Sequence, residues 1–220
     1  MFSRNSGAPA SGRPRPVTAV AFDFGGVLTY SPFGGLAAYA RELGLPDGAL
    51  TRYFRDDPMM SRLEVGEISS REYFKYVCTD AETTYGTRLD IRRLAAAAAE
   101  AERLNPDMIA LVEEVGHRCP VALVTNNVAG ATWRETFPYD LFTVVLDSSE
   151  LGVRKPDPRI YAELLARLEC QPEQVAFVDD LERNTAAAAA LGIRPVLFTE
   201  VAACRAELTR LGALGTGSGI

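Results

Sequence analysis

Five short runs of apolar, largely β-branched residues constrain this chain more than anything else in it. They are VTAVAF ahead of Asp23, VALVTNN (121–127), FTVVLDSS (142–149), VAFVDD (175–180) and RPVLFTE (194–200). Unbroken apolar runs of this length suit strands buried on both faces. Between and after them lie helical patterns. NPDMIALVEEVG has Asn105 as N-cap and Pro106 at the first helical position, DPRIYAELLARL follows the third run, and ERNTAAAAALG ends on a glycine. Strands alternating with helices imply right-handed βαβ units, hence an α/β fold with a doubly wound, Rossmann-like parallel sheet.

The stretch 33–104 breaks that rhythm, because it carries helical periodicity and no buried strand. GGLAAYARELG, GALTRYFRDDPMM, SSREYFKYV and DIRRLAAAAAEAERL predict four helices, the third opened by a capping box of Ser69 with Glu72. The expected organisation is therefore a core of 17–32 and 105–212 with a helical cap, 33–104, inserted directly after the first strand. The Pro- and Arg-rich leader 1–16 and the Gly-rich tail 213–220 are expected to be flexible. Hinges between core and cap are expected near 30–35 and 103–106, where glycine and proline cluster.

Composition narrows the functional classes. A chain of 220 residues, 47% of them hydrophobic, can bury a full core. With 23 Lys+Arg against 29 Asp+Glu the net charge is −6, and no basic stripe suggests nucleic acid. No stretch approaches the roughly 18 apolar residues of a membrane span. Cys78, Cys119, Cys170 and Cys204 form no C-x-x-C pair and have no histidine cluster beside them, so neither a zinc site nor a disulfide frame is suggested, and a cytoplasmic setting is expected. The single histidine, His117, falls in a helix-to-strand turn at the edge opposite the strand ends and is expected on the surface.

The polar residues at the strand ends carry the functional reading. In a doubly wound sheet the ligand site lies beyond the carboxyl ends of the strands, where strand order reverses. Those ends bear Asp23, Thr125 with Asn126, Lys155 in the loop after the third run, and Asp179 with Asp180. Each has a plainer alternative: a turn aspartate before Gly-Gly, a strand-end threonine, an exposed loop lysine, a helix cap. Together they form a set with a chemical use. An aspartate can attack phosphorus and form a covalent intermediate. Two further carboxylates can hold Mg²⁺, which prefers oxygen ligands. A hydroxyl, an amide and an ammonium can hold the phosphoryl oxygens as charge moves.

The stretches FDFGGVLT, LVTNN, GVRKPDPRIY and FVDDLERN, in this order, resemble the motifs of the haloacid dehalogenase superfamily with a helical C1-type cap. Sugar-1-phosphate phosphatases and the N-terminal phosphatase domains of epoxide hydrolases are the similar branches. The resemblance implies that Asp23 is the nucleophile, that Thr125, Asn126 and Lys155 bind phosphate, with Lys155 also supporting the nucleophile, and that Asn184 braces the acidic loop. It further implies an Mg²⁺ cofactor held by Asp23, Asp180 and the Gly25 carbonyl, with Asp179 acting through water.

The departure from the pattern is Gly25, which stands where phosphatases of the family often carry a second aspartate as general acid and base. That substitution points to a phosphomonoesterase for small phosphorylated metabolites with good leaving groups, a sugar 1-phosphate being the finer expectation. The alternatives are a catalytically weak phospho-ligand-binding protein and a 2-haloacid dehalogenase; the latter needs no metal and usually has an aromatic residue at that place. Arg62, Glu64 and Glu67, flanking VGEIS in the cap, are candidate substrate contacts.

Overall fold

The computed structural model describes residues 16–30, 33–55, 57–99, 103–128 and 137–215. Most of the expected leader, the end of the tail, part of the first hinge and Trp133 lie outside the described residues.

Five strands form one parallel sheet: β1 (Ala19–Phe22), β2 (Val121–Thr125), β3 (Val144–Asp147), β4 (Val175–Asp179) and β5 (Arg194–Leu197), in the order β3-β2-β1-β4-β5. Alternation along β1 explains why its run is apolar throughout. Val20 and Phe22 face a layer containing Met108, Leu111, Val112 and Leu208, whereas Ala19 and Ala21 face Ile160, Tyr161 and Leu164. The first layer is built by α6 (Pro106–Gly116) and α10 (Val201–Arg210), the second by α8 (Pro158–Leu168) and α9 (Glu182–Ala190). Asn105 caps α6 as expected, its side chain accepting from the Met108 N–H at 3.4 Å. A short α7 (Ser148–Leu151) follows β3.

Between residue 33 and α6 the described residues form five helices, one more than the periodicity predicts: α1 (Phe33–Glu42), α2 (Thr51–Arg55), α3 (Pro58–Glu64), α4 (Ser70–Tyr85) and α5 (Ile91–Ala99). The second expected helix is split because Pro58 cannot continue a helix but can start one. Asp57 caps the new start, accepting from the Met59 N–H at 2.8 Å. The Ser69–Glu72 capping box forms as expected, and α4 runs on to a left-handed Gly86 at φ 65°. Leu36, Tyr39, Leu50, Tyr53, Tyr73, Val77 and Leu94 give these helices their own apolar core.

The two crossings between insert and sheet run side by side as an antiparallel pair. Tyr30 N–H donates to Arg103 O at 3.0 Å, Asn105 N–H donates to Leu28 O at 2.8 Å, and Thr29 pairs with Leu104. Among the described residues no helix is long and apolar enough to cross a membrane, and the four cysteines are unpaired. His117 is exposed just after α6, at the end of the sheet away from the strand carboxyl ends.

Candidate active site

Strand order reverses between β1 and β4, and the residue just past the end of β1 is Asp23. Its N–H donates to Val178 O at 2.9 Å, extending the β1–β4 ladder by one step, so the carboxylate is fixed at the mouth of the sheet. Lys155 reaches it from the loop before α8, with Nζ 2.5 Å from Asp23 Oδ1 and 2.8 Å from Asp179 Oδ2. That ammonium is 1% exposed, which places it in the low-dielectric interior and far from the usual fate of lysine. Burial works against its charge, but Asp179 and Asp23 outweigh that and raise its pKa.

Asn126 explains how Lys155 is held. Its Oδ1 accepts from Lys155 N–H at 2.8 Å, and its Nδ2 donates to Lys155 O at 3.0 Å. The amide side chain therefore clamps the lysine backbone on both sides. Thr125, 1% exposed at the end of β2, stands one residue before it.

The two consecutive aspartates at the end of β4, Asp179 in the strand and Asp180 just past it, have different surroundings. Asp179 is fully buried and its oxygens are occupied: Oδ1 accepts from Leu181 N–H at 2.9 Å and from Asn184 Nδ2 at 2.9 Å, and Oδ2 accepts from Lys155 and from Asn184 at 3.1 Å. Asn184 thus braces this loop, where the resemblance puts it. Asp180 is partly exposed and approaches the turn after Asp23. Burial and the Asp179 charge push its carboxyl up to about 6, against the pull of Lys155 and Arg55. Burial also pushes Asp23 up to about 8, opposed by Lys155 and reinforced by Asp179 and Asp180.

Asp23, Asp179 and Asp180 each bring one carboxylate oxygen within 4.8 Å of the others. One ammonium faces three carboxylates, so with all three ionised two negative charges have no counterpart in the cluster. An oxygen-rich site with that deficit fits Mg²⁺, and the raised carboxyl pKa values, owed first to burial and then to the neighbouring aspartates, favour a bound cation. Because Asp179 has its acceptors engaged, Asp23 and Asp180 are the carboxylates suited to direct coordination.

The turn Phe24–Leu28 shapes the floor of the site. Thr29 closes it: its N–H donates to Phe24 O at 3.0 Å, and its buried hydroxyl donates to Phe24 O and accepts from Gly26 N–H, each at 3.3 Å. The adjacent glycines differ in kind. Gly25 has φ −72° and ψ 119°, open to any residue, and a Cβ built there meets nothing within 4 Å. Gly26 has φ 82°, and a Cβ there would lie 2.5 Å from Asp180 Oδ2. Gly26 lets the acid approach, a role the sequence hints at only as the second glycine of a pair.

The cap residues fall elsewhere. Arg62 and Glu67 pair with each other at 3.1 Å on the surface, both side chains more than half exposed. Glu64 is 7% exposed and faces the core, where its Oε2 lies 2.5 Å from Arg154 Nε. Four participants drew no attention in the sequence: Arg154, Ser148, Asn127 and Asp147. Ser148 Oγ accepts from Asn127 N–H at 3.0 Å, and Asn127 Nδ2 donates to Asp147 Oδ2 at 3.0 Å. Polar residues on either side of a strand end are too common for their types alone to mark them.

The haloacid dehalogenase-like hydrolase model matches residues 17–192. Acyl-CoA dehydrogenase family member 10 of Mus musculus is 30% identical over 192 residues, 83% of this chain but 18% of that protein. Bifunctional epoxide hydrolase 2 of Sus scrofa is 26% identical over 212 residues, 88% of this chain and 38% of that protein. The chain therefore spans well under half the length of these two relatives. A phosphatase of Mycobacterium tuberculosis is 28% identical over 221 residues and is covered over 99% of its length, with 92% of this chain. Among solved structures, an enzyme of the same family from Bacteroides thetaiotaomicron, in complex with magnesium and inorganic phosphate, superposes with a TM-score of 0.65. That likeness is one of fold, at 21% identity over 83% of this chain and 94% of the other. On the match over residues 17–192, the chain belongs to the haloacid dehalogenase-like hydrolases.

Proposed function

We propose that the protein is a Mg²⁺-dependent phosphomonoesterase that works through an aspartyl phosphate on Asp23. The observation that carries this reading is the buried Asp23–Lys155–Asp179 array with Asp180 beside it at the reversal point of the sheet. The magnesium-and-phosphate complex of the Bacteroides thetaiotaomicron enzyme and the name of the Mycobacterium tuberculosis phosphatase support it.

In this reading the Asp23 carboxylate attacks phosphorus while the bond to the leaving oxygen breaks and its electron pair departs with that oxygen. Water then attacks the phosphorus of the acyl phosphate, the Asp23 O–P bond breaks, and the carboxylate returns with release of inorganic phosphate. Lys155 neutralises Asp23 before attack and the phosphoryl oxygens after it. Thr125 and the Asn126 backbone offer donors to those oxygens, while the Asn126 side chain keeps Lys155 in place. Asp23, Asp180 and the Gly25 carbonyl would hold Mg²⁺, which when bound offsets the repulsion between carboxylate and phosphate. Residues 33–104 act as a cap over this centre, excluding water during attack.

Gly25 supplies no general acid or base, a contribution typically on the order of 10²–10⁴-fold. Glu64, the buried carboxylate of the cap among the described residues, is held by Arg154 and so is already committed. The substrates favoured are therefore those whose leaving group departs as a weak base. A sugar 1-phosphate is the finer reading, and small phosphorylated metabolites are the class. A dehalogenase would have no use for three clustered carboxylates. The test is hydrolysis of p-nitrophenyl phosphate with and without Mg²⁺, in wild type and in Asp23→Asn, followed by a screen of phosphorylated metabolites. Turnover that survives both chelation and Asp23→Asn would overturn the mechanism.

A further inference from the structure

The insert touches the core through a second polar cluster, made by side chains other than the three aspartates. At the end of α3, Glu64 Oε2 lies 2.5 Å from Arg154 Nε, and Arg154 Nη1 donates to Ser61 Oγ at 2.8 Å. Ser148 Oγ, fully buried at the start of α7, donates to the Glu64 main-chain oxygen at 2.6 Å. A Cβ on Gly66, at φ 76°, would sit 3.4 Å from Ser149 O, so backbone meets backbone closely here. All four contacts join α3 and the residues just after it to the segment that ends at Lys155.

Arg154 and Lys155 leave one tight turn in different directions. The Arg154 carbonyl accepts from Asp157 N–H at 2.9 Å, and Asn126 holds the Lys155 backbone on both sides. Lys155 turns into the core acids, and Arg154 turns to the insert. A shift of α3 must break the Arg154 contacts, because the turn itself is held by the Asp157 N–H, by both bonds to Asn126 and by the Lys155 contacts with Asp23 and Asp179.

The character of the ion pair matters. Glu64 Oε2 and Arg154 Nε are both buried and touch without an aligned hydrogen bond. The desolvation of two charges nearly offsets their attraction when the pair is made, whereas a lone buried charge is uncompensated. Such a contact is reversible as a pair and unfavourable as a half. The other charges near Glu64 are Lys155, committed to Asp23 and Asp179, and Arg183, whose Nη2 donates to Arg55 O at 3.1 Å across the same seam.

We propose that Glu64 and Arg154 are a cross-seam positioning pair that latches the helical insert onto the Lys155 turn and so sets the closed state in which chemistry proceeds. This rests on the reading of Asp23 and Lys155 as the reacting centre. Hydrogen exchange on the full chain without substrate reads the latch directly. Glu64→Gln and Arg154→Met each speed exchange of the amides at 61–67 and 148–154 by roughly tenfold, and lower kcat for p-nitrophenyl phosphate by about as much with KM little changed. The double variant, which removes both charges, loses no more than the worse single variant in either readout, as independent losses of side-chain packing would not. Arg154→Lys keeps the charge but loses the fork to Ser61 and falls between; it serves if Arg154→Met does not fold. Wild-type exchange in both single variants, or additive losses in the double, overturns the latch. Absence of Mg²⁺-dependent turnover in the wild type would instead overturn the phosphatase reading, and the exchange result would still decide the latch.

Discussion

Gly25 and Gly26 are neighbours of the same residue type, and the structure predicts opposite consequences for replacing them with alanine. At Gly25 the backbone is already in a region any residue adopts and a Cβ would meet nothing within 4 Å, so Gly25→Ala mainly restricts the unfolded chain. That is worth about 0.4–1 kcal/mol of added stability. At Gly26 φ is 82°, where a Cβ costs about 1–2 kcal/mol before any contact is counted. The added carbon would also stand 2.5 Å from Asp180 Oδ2 and 2.9 Å from its Cγ, so the carboxylate must leave its present position. For a domain of this size each kcal/mol moves Tm by about 2–4 °C, which puts Gly26→Ala about 2–8 °C below wild type and Gly25→Ala level with it or a few degrees above. Thermal melts in EDTA measure the backbone term, and melts across a Mg²⁺ titration measure the displaced ligand. Gly26→Ala needs more Mg²⁺ to reach half of its maximal shift, while Gly25→Ala keeps the wild-type midpoint. Equal Tm values for the two variants, or an unchanged Mg²⁺ midpoint in Gly26→Ala, would refute the argument from the turn.

Three further outcomes follow from the same site. Lys155→Met strands Asp23 and Asp179 without their cation and costs about 3–5 kcal/mol in denaturant unfolding as well as phosphatase activity; a loss under 1 kcal/mol would mean that the acids are not charged around it. In EDTA, stability falls as pH rises from about 4 to about 8. Asp23, raised from 3.8 to about 8, holds its proton more tightly folded than unfolded, and Asp180, raised to about 6, adds to the same slope, so the stability present below pH 4 is lost as pH passes those values. Saturating Mg²⁺ flattens the decline by favouring the carboxylates, and parallel profiles with and without the ion would contradict this. Gly25→Asp has room for its side chain, and if the absent acid limits turnover it speeds alkyl phosphates more than aryl phosphates; equal changes for both would sink the leaving-group explanation.

The sheet was legible because its strands are buried on both faces, so their runs stand out from the helical periodicity around them. Pro58 shows where that legibility failed. Its neighbours read as one amphipathic stretch, and only the geometry of Asp57 reaching the Met59 N–H shows that the proline starts a second helix. Within the site, Asp23, Lys155, Asp179 and Asp180 could be found because strand ends are where a parallel sheet gathers ligand-binding groups. Asn126 was found for a different duty, since its type suits phosphate and lysine backbone alike and only the two bonds to Lys155 assign its side chain.

Charge balance connects what was legible with what was not. The sequence shows a net charge of −6 without saying where it concentrates. The fold packs three carboxylates around one ammonium at the sheet mouth, and sets a balanced pair, Glu64 with Arg154, one residue from that lysine. The first arrangement is unstable alone and gains from a bound cation; the second is nearly neutral and free to break. On the proposed reading, in which the site holds its ion while the insert opens and closes over it, both kinds of contact are needed, and Arg154 and Lys155 supply one to each from consecutive positions in the chain.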